Sequence, residues 1–460
     1  MSKETSFDLI VVGSGPGGYV AAIRGAQLGL QTAVIERDQI GGRCLNYACI
    51  PAKAVLRAAD IKDEVDHAEE FGISTAASQV DFGKVSQRRQ EVISTLTGGV
   101  GMLLKKNKIQ VINGVASFDK DGNLQVQGED AGTYSAPNII LACGSVRSGI
   151  PGVEYGERII GTEEGWALDE LPKSIIVLGA GASGTEMASA YARLGCKTTL
   201  VEGTDRVLPG EEKDVSKVVE RGLKAQGVEV LTGNFAQDIK ATAKSVSMTV
   251  GDTKLRAELV VVAAGRRADV EALGLDLVDI QTDEHGLVQV DDQLRTTRQG
   301  VWAIGDLVAG PALAHKASEE GILAAQSAAG QHVHPIDYQM IPRATFCSPN
   351  VASFGYTEEE AKGEGLDVVV GKVPYGAVGA GTVYGDRSGF VKIVGDTKFK
   401  EIIGGHIVGA KATELIQEIV NAQALEGGYP ELAQIIHGHP TLSEAVSEAA
   451  RAVDGWLIHG

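Results

Sequence analysis

Cys44 and Cys49 stand five residues apart in "GGRCLNYACIPAK", in a chain with only 5 cysteines, and Pro51 and Lys53 follow closely. Two thiols so near each other can form a structural disulfide, half of a metal site, or a redox pair made and broken in each turnover. A five-residue step puts them on different faces of an ideal helix, whereas a bridge needs Cα atoms within about 7 Å. Gly41-Gly42 before the pair and Pro51 after it fit a bend that leads into a helix. No second pair of ligands stands nearby, which counts against a metal.

Two longer segments carry a different chemistry. "FDLIVVGSGPGGYVAAIRGAQLGLQTAVIE" runs from Phe7 to Glu36, and "SIIVLGAGASGTEMASAYARLGCKTTLVE" from Ser174 to Glu202. Each reads as an apolar strand, a glycine-rich turn, a helix and a second strand ending in Glu. Gly13, Gly15 and Gly18 fall in register with Gly179, Gly181 and Gly184, and each acidic residue lies the same distance past its first glycine. In such a dinucleotide fingerprint the first glycine makes the tight turn, the second admits the pyrophosphate and the third lets helix pack on strand. The helix N-terminus offers unpaired N–H groups to the phosphates, and the acidic residue takes the adenosine ribose hydroxyls. Glu202 would repel a 2′-phosphate, so the second site is expected to prefer NAD over NADP.

Further strands are expected in "PNIILACGS" (Pro137–Ser145), "ELVVVAAGRRAD" (Glu258–Asp269), which turns at Gly265, and "TTRQGVWAIGDLV" (Thr296–Val308), which delivers Asp306. At 460 residues with 43% hydrophobic and 22% charged content, the chain is sized for two to four globular domains. Its 59 glycines, with no collagen period, suit many tight βα turns. A formal net charge of -18 makes nucleic acid a poor partner. No apolar run approaches the roughly 18 residues of a spanning helix, and the first residues lack a signal peptide's apolar core. A soluble, cytoplasmic protein with no membrane partner is expected, a setting where a disulfide is more often catalytic than structural.

The fingerprints, "GGRCLNYACIPAK", "AIGD" (Ala303–Asp306), "AHKASEEG" (Ala314–Gly321) and "HGHPTLSEA" (His437–Ala445) together resemble the class I pyridine nucleotide-disulfide oxidoreductases. The resemblance covers essentially the whole chain and is strongest to the branch that oxidises dihydrolipoamide. It implies an α/β fold of two Rossmann-like dinucleotide-binding domains, for FAD and NAD, plus an α+β C-terminal dimerisation domain. The implied layout is FAD-binding 1–150, NAD-binding 151–272, a second FAD-binding or central part 273–340, and an interface domain 341–460. By position, the resemblance assigns Gly13, Gly15, Gly18 and Glu36 to FAD and Asp306 to its ribityl–phosphate region. The backbones of Ala116 and Ala314 should lie against the adenine and the flavin end. Lys53 should sit beside the flavin ring and pair with Glu186, while Gly179, Gly181, Gly184, Glu202 and Gly265 serve NAD.

The resemblance also makes Cys44 and Cys49 a redox disulfide, with Cys44 on the substrate side and Cys49 on the flavin side. It makes His439 the base and Glu444 the carboxylate that orients it, acting on the disulfide of the other subunit of an obligate homodimer. Only a thiolate attacks a disulfide, and an imidazole titrates near neutrality, so the assignment is chemically apt. His437 is expected to be a satisfied structural histidine, and Cys143, Cys196 and Cys347 buried and inert. The implied activity is oxidation of protein-bound dihydrolipoamide to lipoamide with reduction of NAD⁺ to NADH. The substrate would be carried on a lipoyl carrier protein or domain, and the enzyme would be a shared flavoprotein component of 2-oxoacid dehydrogenase or glycine cleavage complexes. The alternative is an NAD(P)H-dependent reductase of glutathione or another low-molecular-weight disulfide, against which Glu202 argues. Arg43, Tyr47, Ala48 and Ala52 depart from the pattern. Ala182-Ser183 stands where a bulkier pair ending in Ile lines the nicotinamide pocket, so a roomier pocket is expected.

Overall fold

The computed structural model describes residues 4–76 and 78–460. The chain forms two compact units, and the first comprises the chain up to Ala54, Gly83–Gly149 and Gly265–Tyr338. The second comprises Val55–Phe82, Ile150–Ala264 and Gln339–Gly460.

Short β-branched runs bounded by glycine form strands buried on both faces, which is the pattern of a parallel sheet. In the first unit five strands, of which the edge strand Gln110–Asn113 is largely exposed, lie in the spatial order Val301–Ala303, Asn138–Leu141, Leu9–Val12, Thr32–Glu36, Gln110–Asn113, every neighbour pair parallel. The strand order reverses between Leu9–Val12 and Asn138–Leu141, and ligands of open α/β sheets bind at such a switch point. The helix Pro16–Gln27 begins there, and Ala314–Ala328 packs against it. Glycines on both helices allow that approach: a Cβ on Gly321 would fall 2.4 Å from the Gly17 carbonyl oxygen. A small sheet of Glu4–Ser6, Gly132–Ser135, Leu124–Gln127 and Val115–Phe118 completes this unit and carries Ala116, which is buried.

The second unit repeats the device. Its parallel sheet runs Ile159–Gly161, Leu259–Val262, Ser174–Leu178, Lys197–Val201, Glu229–Leu231, with helix Ala182–Arg193 after the central strand. Here the edge strand Ile159–Gly161 precedes the fingerprint in the chain instead of following it. The unit adds an antiparallel sheet of Arg343–Thr345, Val351–Gly355, Ile402–Val408, Phe390–Asp396 and Val368–Pro374. The helices Ala412–Ala424, Tyr429–Gln434 and Glu444–Val453 share its apolar core. No helix among the described residues is long and apolar enough to cross a membrane.

The unit boundary at 264/265 lies ahead of the expected 272. Strand Arg266–Ala268 pairs antiparallel with Ser145–Arg147 and so draws 265–272 into the first unit.

The segment Gly305–Leu307, which carries Asp306, is gripped from the helix Ala314–Ala328. Lys316 Nζ donates to the Gly305 carbonyl at 2.9 Å, and Glu320 Oε2 accepts the Gly305 N–H at 2.7 Å. Lys316 and Glu320 pair at 3.1 Å with both side chains wholly buried, and Tyr338 donates its hydroxyl to Glu320 Oε1 at 2.6 Å. Burial pushes the Glu320 carboxyl up, against the pull of Lys316 and its hydrogen bonds. Removing one member of a buried pair strands the other charge. Glu320→Ala should therefore lower unfolding stability by about 3–5 kcal/mol, measured by urea denaturation, and the double variant Lys316→Met/Glu320→Met should lose less than the single one.

Candidate functional site

The first fingerprint forms a cradle. Gly13 takes φ +102, and a Cβ there would meet the Ala142 carbonyl oxygen at 2.4 Å; a Cβ on Gly18 would meet the Gly13 carbonyl oxygen at 1.9 Å. Gly15 caps the helix Pro16–Gln27 with no side-chain cap, and a Cβ there would meet nothing. The start of the helix thus carries no capping side chain, which suits a pyrophosphate. Glu36, at the end of the next strand, is buried, and its Oε2 accepts the Ser14 N–H at 2.8 Å and the Ser14 hydroxyl at 2.6 Å. Its Oε1 accepts the Asp38 N–H at 2.9 Å.

The second fingerprint matches it. Gly179 takes φ +105 against the Ala263 carbonyl oxygen, Gly184 packs on Gly179, and Gly181 is again an uncapped, open N-cap. Glu202 Oε2 accepts the Ala180 N–H at 2.7 Å, and its Oε1 accepts the N–H and hydroxyl of Thr204 at 2.8 and 2.9 Å. Arg206, in the same loop, donates to Asp205 at 3.1 Å and to the Pro209 carbonyl at 2.8 Å. Ala182 and Ser183 are exposed in the first turn of the helix. Glu186 is buried one turn on, where its Oε1 accepts the Phe346 N–H at 2.8 Å. The residues present fit two dinucleotides.

The cysteine stretch lies against the first cradle. It forms two helices, Gly42–Asn46 and Cys49–Asp66, broken at Tyr47-Ala48. Cys44 belongs to the first and Cys49 opens the second, so the expected bend is a break between helices. Gly41 and Gly42 have positive φ, and a Cβ on Gly42 would fall 2.7 Å from Gly15 Cα. The Gly41 N–H donates to Ser14 Oγ at 3.2 Å. No disulfide joins the cysteines among the described residues; the two thiols are hydrogen-bonded to each other. That hydrogen bond and burial push the Cys44 thiol up, while the charges of Lys53 and Arg43 pull the other way. Lys53 follows Cys49 by one helical turn. Cys143, Cys196 and Cys347 are half-buried or buried, and burial pushes Cys143 and Cys196 up to about 12, so both stay protonated and unreactive.

Asp306 stands just past the strand Val301–Ala303 and accepts the Ser145 hydroxyl at 2.5 Å. Arg266 Nε in turn donates to Ser145 Oγ at 2.8 Å. Ala314 is the first residue of its helix. Gly265 is exposed with φ +100 and accepts the Ser148 N–H through its carbonyl. Gly13, Gly15, Gly18, Glu36, Cys44, Cys49, Lys53, Ala116, Gly265, Asp306 and Ala314 all belong to the first unit. Gly179, Gly181, Gly184, Glu186, Glu202, His439 and Glu444 belong to the second, so Lys53 and Glu186 lie in different units.

His439 is 75% exposed at its side chain, and its Nδ1 lies 2.9 Å from Glu444 Oε1. Burial opposes ionisation of Glu444, but the Thr441 N–H and His439 outweigh it and hold this carboxyl below its ordinary value. A carboxylate only accepts, so Nδ1 carries a proton, and in the neutral ring Nε2 then holds the lone pair, the tautomer of a general base. His437 is different: its Nδ1 meets the Ile435 carbonyl at 2.9 Å and its Nε2 meets Glu418, with the side chain buried. Facing acceptors on both nitrogens, it is a structural imidazolium. Ser14, Ser145, Arg266 and Glu418 were not singled out in the sequence, which marks no pairing over such separations.

The family model described as pyridine nucleotide-disulphide oxidoreductase matches residues 7–321, and that of its dimerisation domain matches residues 341–450. The chain is 41% identical over 475 residues to a dihydrolipoyl dehydrogenase of Bacillus subtilis (strain 168), covering 99% of each. It is 42% identical over 467 residues to that of Mycobacterium tuberculosis (strain ATCC 25618 / H37Rv), covering 99% of this chain and 100% of the relative. Among solved structures it is similar to LpdA from Mycobacterium tuberculosis (TM-score 0.90, 28% identity, 96% of this chain and 99% of the other). It is also similar to the HOCl-induced flavoprotein disulfide reductase RclA from Escherichia coli (TM-score 0.86, 25% identity, 97% and 100%).

His437 supplies a pH test. Its hydrogen bond to Glu418 raises its folded pKa above the ordinary value despite burial. That contribution to stability is complete below the unfolded pKa of about 6.5 and is lost as pH rises through the folded value. The melting temperature of His437→Gln should fall furthest below the parent's near pH 5.5–6 (about one unit under that reference) and converge on it in alkali. A gap that widens with pH would contradict the assignment.

Proposed function

Because the chain belongs to the pyridine nucleotide-disulphide oxidoreductase family, we propose that it oxidises dihydrolipoamide to lipoamide with NAD⁺ as acceptor, through Cys44 and Cys49. It is an oxidoreductase of FAD and NAD. The observation that carries the reading is the placement of Cys44 and Cys49 on either side of a break between two helices, held against the turn of the first fingerprint.

His439 Nε2 takes a proton from one substrate thiol, and the resulting thiolate attacks Cys44 Sγ, breaking its bond to Cys49 Sγ. The second substrate thiol then attacks the first substrate sulfur and displaces Cys44, which takes up its proton as it departs. Lipoamide leaves, and Cys44 and Cys49 hold the two electrons, with one proton on the pair and the other on His439. FAD, when bound, supplies two-electron transfer between this pair and NAD⁺, which leaves as NADH with the disulfide restored. Gly13, Gly15, Gly18, Glu36, Asp306 and the backbones of Ala116 and Ala314 would hold FAD, with Lys53 beside its ring. Gly179, Gly181, Gly184, Glu186, Glu202 and Gly265 would hold NAD. Glu444 keeps the His439 tautomer throughout. The chain works as a homodimer in which His439 of one protomer serves the cysteine pair of its partner. Its substrate is a lipoyl group on a carrier protein or domain of a 2-oxoacid dehydrogenase or glycine cleavage complex. The reading includes a cytoplasmic location.

Purified protein should produce NADH from dihydrolipoamide and NAD⁺. Failure to do so, with NADPH oxidised by glutathione disulfide instead, would overturn the reading. Cys44→Ser and Cys49→Ser should lose this activity while each keeps NADH-driven reduction of ferricyanide, which needs no disulfide. His439→Gln should lower kcat for dihydrolipoamide by about 10²–10⁴-fold. Ser183→Ile, which fills the exposed first turn beside Gly184, should lower the NAD KM by severalfold, and unchanged kcat and KM would refute the roomier pocket.

A further inference from the structure

The stretch between the cysteines is tied by side chains to the residues that precede it. Asn46 Nδ2 donates to the carbonyls of Ile40 and Gly42 at 3.1 and 2.9 Å. Tyr47, which ends the helix Gly42–Asn46, donates its phenol O–H to Asp38 Oδ2 at 2.7 Å. The Asp38 N–H donates to Glu36 Oε1, and Glu36 holds the fingerprint turn through Ser14. A continuous path of hydrogen bonds therefore runs from the break between the two cysteine helices to the carboxylate at the end of the second strand. Tyr47 is 37% exposed, yet partial burial and then Asp38 push its phenol up to about 12, so it remains the donor across the working pH range.

Tyr47 sits where it can set the break. The N–H groups of Tyr47 and Ala48 both donate to the Arg43 carbonyl, at 2.8 and 3.0 Å, which closes the first helix between Cys44 and Cys49. The distance and angle between the two sulfurs follow from the turn made there, and disulfide geometry is narrow. A tether on the turn residue therefore acts on how easily the bond closes. Tyr47 is also one of the residues that the resemblance did not anticipate, so the tether belongs to this chain's own sequence.

We propose that Tyr47 is a positioning residue for the Cys44–Cys49 pair, coupling the pair through Asp38 to the Glu36 end of the first dinucleotide cradle. The inference rests on the redox role proposed above. Coupling between two sites is reciprocal: if binding at Glu36 biases the pair, oxidation of the pair biases binding at Glu36 by the same factor.

The test uses purified holoenzyme, prepared with the pair oxidised and with it reduced by two electrons, and measures the FAD dissociation constant in each state. The potential of the pair is measured separately by equilibration in dithiothreitol redox buffers, trapping thiols by alkylation and counting them by mass. The parent should differ in FAD affinity between the two states by about threefold or more, the scale of one hydrogen bond. In Tyr47→Phe that ratio should fall towards one and the potential should move. Asp38→Asn should do the same, and the double variant should add nothing further. Tyr47→Phe with the parent's ratio and potential would overturn the inference, as would additive effects of the two substitutions. A parent that titrates as a two-electron pair but does not oxidise dihydrolipoamide sinks the substrate reading and leaves the coupling intact. Cysteines that form no disulfide overturn both.

Discussion

A carboxylate taken out of water must find donors, and Glu36 finds them in the backbone around it. Its two oxygens hold the turn after the first strand and the turn after the second, so the phosphate cradle and the strand end become one rigid piece. The Ser14 hydroxyl extends that piece to Gly41, where the cysteine stretch begins. The close packing of Gly42 on Gly15 follows, because the chain leaves the strand along a path that brings backbone against backbone. A side chain at Gly42 would separate the thiols from the cradle they serve. Position of the redox pair is thus a consequence of how one buried anion is solvated.

The same economy appears in the other ionisable groups, graded by burial. Lys316 and Glu320 are wholly buried and spend their hydrogen bonds on both backbone groups of Gly305, fixing Asp306 without touching it. A buried pair of this kind often adds no more net stability than apolar residues of similar volume would. His439 lies at the opposite extreme, largely exposed, with one nitrogen held by Glu444 and the other presented outward. On the proposed assignment His439 exchanges protons with an arriving thiol, which needs water and space, whereas a group that holds a resident cofactor needs neither. His437 separates from His439 on this criterion alone: both meet a carboxylate, but its second nitrogen is also occupied, so it has no lone pair to offer.

The fold was legible wherever a period or a spacing encoded it. The two fingerprints gave the strands, helix starts and acidic strand ends because each glycine answers a local steric demand: Gly13 and Gly179 need positive φ, and Gly18 and Gly184 have no room for a Cβ. The break at Tyr47-Ala48 was foreshadowed by the awkward step between the cysteines. The partners were not legible. Ser14 to Glu36, Arg266 to Ser145 to Asp306, and Glu418 to His437 join residues whose separation carries no repeat, and polar residues of those types occur throughout the surface. The pairing of Arg266–Ala268 with Ser145–Arg147 is illegible for a related reason, since a three-residue strand pairing across the chain leaves almost no pattern.

The two copies of the fingerprint differ at one position that bears on how differently their ligands are used. Ser14 stands between the first two glycines of one copy, and Ala180 between those of the other. In the first copy the hydroxyl bridges Glu36 to Gly41, adding a link from the cradle into the redox stretch. The second copy has no such stretch to hold; Glu202 turns to Thr204 in its own loop, and the exposed Ala182 and Ser183 leave the helix start uncovered. A cofactor that stays bound through every turnover gains from a cradle tied into its surroundings, because each added constraint lowers the entropy lost on binding. A nucleotide that must leave in every cycle gains nothing from such ties, since tighter binding of the product slows its release. On the proposed assignment, FAD occupies the tied cradle and NAD the looser one, and the difference between Ser14 and Ala180 is the point in the sequence where that division of labour is written.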